Sequence, residues 1–395
     1  VKITAIRLFQ LEGVLEHPDE FWEERLVRPL DIYPEHKHDG GDYSPKIGPG
    51  QYRIVSGFVE VHTDDGVTGL GGPIDADQAH IIASDLAPLA IGQDPWATER
   101  IWDKLYRSQV HGRGGVAMMA ISALDCALWD LKGKAAGLPV YRLLGGPTRT
   151  EIPAYASALG YSLEPSLLRE RAQQIVAQGY RATKWFFRDG PLDGREGIRR
   201  NVQLARTLRD ALGDDVDLML DAWMSWNVPY TISMAQRLAE YHPRWIEEPL
   251  MADKEREGIA LIRQQSPVPI ATGEHQYTRW GLKGLMDSHS ADILQPDIYW
   301  AGGISEIVKI CALASTYDLP VIPHGHSVPA TAHVIASQPA NLCPLIEYLI
   351  KWNQVHQFFF KEPVQPVNGV VRLTDKPGIG VEIDEAKIES RRELS

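Results

Sequence analysis

At 395 residues the chain exceeds one typical domain, and a barrel of about 250 residues beside a smaller domain is the natural division. Hydrophobic residues make up 44% and charged residues 23%, ordinary globular values that leave no case for disorder. The formal net charge of -12 argues against a nucleic-acid surface, and it means that a carboxylate-rich pocket needs a cation before it can accept an anionic substrate.

Cys126, Cys311 and Cys343 are scattered without C-x-x-C spacing, so neither a zinc knuckle nor a disulfide framework is suggested. A reduced, cytoplasmic compartment fits. The first nine residues are too short and too alternating for a signal peptide, and no apolar run approaches the ~18 residues of a spanning helix, so a soluble protein without a membrane partner is expected.

Residues 1–12 alternate apolar and polar, and residues 58–63 followed by Asp65-Gly66 form a strand meeting a hairpin turn, which predicts an α+β opening domain. Between them, residues 13–52 are rich in Pro, Gly, His and Asp with little periodicity. That length is unusual for an idle loop and predicts a substrate lid, whose His36 and His38 read as exposed loop histidines rather than ligands. Residues 79–131 are helical in pattern. Their last part, 114–130, is mostly small or apolar and so buried on nearly all sides, with Asp125 and Asp130 read as paired rather than catalytic acids. A glycine-rich link, ending at Gly145-Gly146, closes a capping domain over residues 1–146.

From there short apolar runs alternate with helical segments. Strands are expected at 152–156, 182–187, 218–221, 245–248, 270–274, 292–297, 319–324 and 344–348, which is the pattern of an α/β protein built on a (β/α)8 barrel over residues 147–360. Residues 361–395, with hairpin patterns at 367–371 and 376–381, are expected to return to the capping domain. Because the C-terminal strand ends of such a barrel open on one face, Asp221, Glu247, Glu274, Asp297 and His324 are expected around one pocket.

Asp221, Glu247 and Glu274, at three successive strand ends, supply hard oxygen ligands from different directions, the donor set that Mg²⁺ prefers. Glu248 is expected to point away by strand alternation. Asp297 and His324 end neighbouring strands, so the carboxylate can hold one imidazole nitrogen and leave the other facing the metal as a base. His326, two residues on, competes less well because it lies beyond the apolar run.

The helix ending Ala127-Leu128-Trp129-Asp130-Leu131, the segments Trp245-Ile246-Glu247-Glu248-Pro249, Gly273-Glu274 and Gln295-Pro296-Asp297, and the closing Asp375-Lys376-Pro377-Gly378-Ile379-Gly380 together resemble the enolase superfamily, mandelate racemase subgroup. The resemblance implies a modified, enolase-type barrel, Mg²⁺ as cofactor and a homo-oligomer. Within the subgroup, Leu220-Asp221-Ala222-Trp223-Met224-Ser225, Gly273-Glu274-His275 and the run from Val321 through His324 and His326 to Val328 look most like L-rhamnonate dehydratases. On that likeness Arg53 is carried over as a substrate-binding lid residue.

One departure bears on the reaction type. Racemases of the subgroup place Lys-x-Lys on strand two, whereas this chain has Lys184-Trp185-Phe186, and residues two apart share a strand face. Phe186 cannot move a proton, so a one-base reaction is implied: dehydration of an aldonate to a 2-keto-3-deoxy acid. His324 would remove the C2 proton, Lys184 would offset substrate charge, and Glu347, ending strand eight, would hydrogen-bond the substrate carboxylate or pair structurally. The competing readings are a racemase or epimerase of a 2-hydroxy acid, and a non-catalytic barrel that binds sugar acids.

Overall fold

The computed structural model describes residues 1–38, 40 and 43–394 of the chain. Alternation at the N-terminus produces β1 (Ile3–Glu16), followed by β2 (Lys46–Gly48), β3 (Gln51–Thr63) and β4 (Thr68–Ile74). β1 and β3 pair antiparallel along nearly their full length, with Leu8 opposite Val59 and Glu16 opposite Gln51. The irregular segment is therefore shorter than the expected 13–52, because both strands run further toward it. It still includes Asp39, Gly41 and Asp42, which lie outside the described residues.

The helix Val116–Ala136 packs against β4, and glycines in that strand permit the approach. A Cβ at Gly71 would lie 2.5 Å from the Ala123 carbonyl oxygen, and one at Gly69 would overlap that of Ala127.

The barrel strands are β5 (Glu151–Ser157), β6 (Ala182–Phe186), β7 (Asp217–Asp221), β8 (Pro243–Glu247), β9 (Ile270–Thr272), β10 (Ile293–Leu294) and β11 (Ile346–Leu349). They form one parallel sheet in the order β10-β9-β8-β7-β6-β5-β11. The seventh barrel position, expected as a strand over 319–324, is instead held by the isolated bridges Leu294 to Val321 and Asp297 to His324, with Val321 N–H donating to Leu342 O at 2.7 Å. Pro320 and Pro323 explain this, since each removes an N–H that a continuous ladder would use.

β12 (Val370–Arg372) runs antiparallel to β5 in the barrel, while β13 (Ser390–Leu394) joins β1. The hairpin material near residue 370 thus stays with the barrel, whereas Gly378 and Ile379 bond Leu138, Val140 and Asp130 of the capping domain and the last strand joins its sheet. Among the described residues no helix is long and apolar enough to cross a membrane.

The barrel interior contains a layer with one residue from each of the eight positions: Tyr155, Ala182, Met219, Trp245, Ala271, Ile293, Ile322 and Leu345. Strand side chains repeat every two residues, so the next layer toward the C-terminal mouth is Ser157, Lys184, Asp221, Glu247, Gly273, Gln295, His324 and Glu347. An apolar floor thus supports a ring of mostly polar and charged side chains.

Candidate active site

At the centre of that ring the Lys184 ammonium lies 2.9 Å from Glu347 Oε1 and 3.3 Å from Asp221 Oδ2, and it also bonds Glu247 Oε1. The other Glu247 oxygen accepts Trp245 Nε1–H at 2.8 Å and the Gln295 amide at 2.9 Å. Glu347 Oε2 accepts the Gly325 N–H at 2.9 Å, so each of its oxygens is committed within the protein. All four charged groups are buried.

Burial alone would favour deprotonating Lys184, but Glu247, Glu347 and Asp221 outweigh it and hold the ammonium well above its ordinary range. The acids behave in the opposite sense. Burial raises Asp221 strongly and Glu247 as well; Lys184 opposes it, and neighbouring carboxylates, Glu274 among them, add to the rise. Glu347 is lowered, because Lys184 and His324 together overcome its burial.

Asp297 Oδ2 lies 2.8 Å from His324 Nδ1, and its other oxygen accepts the Tyr299 N–H at 2.7 Å. This leaves His324 Nε2 on the cavity side, 3.7 Å from Glu274 Oε2. Burial disfavours the charged ring, yet Glu274, the Asp297 hydrogen bond and Glu347 outweigh it and raise His324 to about 10. Neutralising Glu274 with a cation would withdraw the largest of the raising causes.

Glu274 departs from the two-residue rhythm. Gly273, with φ of 123°, ends β9 and turns the following carboxylate into the mouth. Glu248 departs likewise: its φ of 42° breaks the alternation that would have pointed it away, and its carboxylate contacts His275 Nδ1 at 2.9 Å. Among the described residues, the three side chains with metal-ligand atoms mutually within 4.8 Å are Glu248, Glu274 and His275. Asp221 and Glu247 instead engage Lys184, so the expected trio of Asp221, Glu247 and Glu274 does not converge on one point in this arrangement. Burial, Glu274, Glu255, Asp221 and Glu247 all raise Glu248, in that order. This crowd of buried, mutually repelling carboxylates is chemically suited to a hard divalent cation.

A cavity of about 290 Å³ opens above these groups and is lined by Asp221, Glu274, His324, His326, His356 and a set of aromatic and aliphatic residues that includes Trp223, Trp300 and Trp352. Trp300 lies 4.9 Å from the His324 ring and 5.5 Å from His275. Trp223, whose N–H donates to Asp221 at 2.9 Å, has φ of 36°, an uncommon backbone state of the kind that clusters at functional sites. A larger cavity of about 530 Å³, lined by Glu24, Lys37, Arg188 and Arg200 among others, receives none of the strand-end acids, so the chemistry belongs to the smaller one.

The segment between β1 and β2 packs beside this mouth, with Leu26 and Tyr43 in the cavity wall. Phe21 and Trp22 pack with Tyr52, the ring of Trp22 lies 4.9 Å from Trp352, and Lys351 pairs with Glu23 at 2.9 Å. Arg53 is not brought to the cavity. It is exposed on β3 between buried Tyr52 and Ile54, and alternation turns it outward. His36 and His38 do not line the cavity either. Sequence reasoning missed Gln295, which the period-two rule from Ile293 would have found, and Glu248, His275 and His356, which no local pattern marks.

Comparison with known proteins agrees with this architecture. Residues 51–145 match the mandelate racemase / muconate lactonizing enzyme N-terminal domain, and residues 167–387 match the enolase C-terminal domain-like family. The chain is 33% identical over 408 residues to an L-rhamnonate dehydratase of Saccharopolyspora erythraea, covering 99% of each protein. Its structure is similar to rhamnonate dehydratase from Gibberella zeae complexed with Mg (TM-score 0.85, 33% identity, 98% of this chain and 95% of that one). It is also similar to a racemase from Streptomyces coelicolor A3(2) with bound magnesium (TM-score 0.80, 30% identity, 98% of each chain). The chain belongs to the enolase superfamily, in its mandelate racemase subgroup.

Proposed function

We propose that this protein is a Mg²⁺-dependent acid-sugar dehydratase, a hydro-lyase acting on an L-rhamnonate-like aldonate. The observation that carries the reading is the 2.8 Å contact between Asp297 and His324, which leaves one imidazole nitrogen facing the cavity, with no second histidine–aspartate pair or free lysine in the cavity lining among the described residues. Phe186 stands where such a base would be, and Lys184 is kept protonated by three carboxylates and so cannot take a proton. Similarity to proteins named for rhamnonate dehydration, one of them complexed with Mg, supports the same reaction.

Although Asp221 and Glu247 engage Lys184 in this arrangement, they would hold the Mg²⁺ with Glu274 once the ion competes for their charge, with Glu248 and His275 beside them, and the ion when bound would supply electrophilic stabilisation of the substrate carboxylate. His324 removes the C2 proton through Nε2 while Asp297 fixes the tautomer and stabilises the imidazolium. Lys184 contributes positive charge beside the substrate carboxylate as electron density moves onto it. Glu347, already committed to Lys184 and Gly325, holds that ammonium in place. The imidazolium then returns its proton to the departing C3 hydroxyl, which leaves as water, and the enol collapses to a 2-keto-3-deoxy acid.

Incubation of the Mg²⁺-loaded protein with an aldonate library in D₂O, followed by NMR, tests this. The expected product is a 2-keto-3-deoxy acid carrying deuterium at C3. Recovery of a C2-epimerised acid with its C3 hydroxyl intact would replace dehydration by racemisation, and absence of any turnover across the library would favour a binding role.

A further inference from the structure

The reaction above uses groups on the barrel side of the cavity and leaves the far wall without a role. That wall is the helix Ile350–His356, which leaves directly from β11, together with Tyr43 from the lid. Trp352 lies between them, its ring 4.8 Å from Tyr43 and 5.4 Å from His356. His356 is 4.5 Å from His326, His326 is 5.9 Å from Trp300, and Trp300 covers His324. A row of rings thus extends from the proton-transfer site to the lid, flanked by aliphatic Leu26, Leu159 and Leu349.

One polar atom in this wall has no use inside the protein. Nδ1 of His356 is buried and makes no hydrogen bond with any described residue. The ring is neutral: burial is the main cause, His326 and His324 add to it, and a backbone hydrogen bond with His326 only partly opposes them. A neutral imidazole carries one donor and one acceptor nitrogen, so the unpaired Nδ1 is matched by a hydroxyl, which can accept or donate, in either tautomer. A buried, unpaired ring nitrogen in an apolar wall is unfavourable until a hydrogen-bonding group reaches it.

We infer that His356 is a specificity-determining residue whose Nδ1 hydrogen-bonds a substrate hydroxyl beyond C3. The inference rests on the acid-sugar reading, since only a polyhydroxy chain whose reacting end lies at His324 extends along the row of rings to this wall. Short 2-hydroxy acids end before it and leave Nδ1 unpaired. Apolar ring faces on either side suit the C–H faces of the same chain, so the wall selects for one placed hydroxyl on an otherwise apolar surface.

Steady-state kinetics on two matched aldonates test this, one hydroxylated at C4 and C5 and the other deoxygenated at both. Wild-type protein is expected to favour the hydroxylated acid through a lower KM. His356→Leu should raise KM for that acid about tenfold with kcat little changed, and leave KM for the deoxygenated acid unaltered. His356→Asn, whose amide stands near the Nδ1 position and can accept or donate, should keep most of the preference. Equal losses on both acids, or none on either, would overturn the role of His356. Should His356→Leu prove unfolded by thermal melting, the wild-type comparison decides, because a wild type indifferent to the two hydroxyls equally overturns it. A wild type that dehydrates neither acid nor any other aldonate removes the acid-sugar reading itself, an outcome distinct from lost discrimination.

Discussion

Asp297 Oδ2 and His324 Nδ1 are 2.8 Å apart although their segments are joined by no continuous ladder, only by isolated backbone bridges, one of which pairs these two residues. The hydrogen bond and the bridge fix the imidazole at a point where two prolines prevent regular strand pairing. His324→Asn should therefore lower kcat by roughly 10²- to 10⁴-fold and stop exchange of the C2 proton with D₂O, as loss of a sole general base requires. Asp297→Asn should also lower kcat, with a shifted pH–rate profile, because the tautomer is no longer imposed. Retained C2 exchange in His324→Asn would show a second base.

Lys184 occupies the space between Asp221, Glu247 and Glu347. In Lys184→Met those buried carboxylates lose their counter-charge, and the metal-free protein should lose about 3–5 kcal/mol of stability. Mg²⁺ should then raise the melting temperature of the variant more than that of wild type. Glu247→Gln should act differently, weakening Mg²⁺ binding in calorimetry and abolishing turnover. Equal Mg²⁺-induced shifts in Lys184→Met and wild type would separate Lys184 from the metal ligands.

His333 provides a pH dependence away from the metal site. Its Nδ1 accepts the Tyr141 N–H at 3.2 Å and its Nε2–H donates to Ile379 O at 3.0 Å, and burial depresses its pKa from 6.5 to about 4. A histidine depressed in the folded state contributes stability that is complete above the unfolded pKa and is lost as pH falls toward the folded one. The window is therefore pH 6.5 down to about 4, with a total effect of about 3 kcal/mol from the shift. Urea midpoints across that range should fall more steeply for wild type than for His333→Asn; parallel curves would assign the dependence to other groups.

Lys351 ties the segment between β1 and β2 to the barrel: it pairs with Glu23 at 2.9 Å and donates to Gly160 O at 2.8 Å while almost fully buried. Lys351→Met should raise KM and speed proteolysis within residues 17–45, with Mg²⁺ affinity unchanged. Arg53→Ala serves as the control. Its exposed side chain lies off the cavity, so the kinetics should remain those of wild type.

The positions of the strand-end acids and of the Asp297–His324 pair could be read from the chain because they follow a local rule. Short, continuous apolar runs end in Asp221, Glu247 and His324, and the parallel strands of a barrel must present those ends on one face. Lys184 and Phe186 share a face for the same reason. These relations need only the spacing of neighbouring residues.

What depended on tertiary structure involves backbone states and contacts distant in sequence. Glu248 joins Glu274 and His275 because its φ is 42°, a value that alternation cannot anticipate. Likeness to a family placed Arg53 in the site, but its register against Val14 on a fully formed β1–β3 pair turns it outward. His356 becomes part of the cavity only when the helix after β11, the lid and Trp352 pack together, bringing residues more than 300 positions apart into one wall. Strand periodicity acts over two residues and is written into the sequence locally. Cavity walls arise from side-chain packing between remote segments, and no short pattern determines which of those segments will meet.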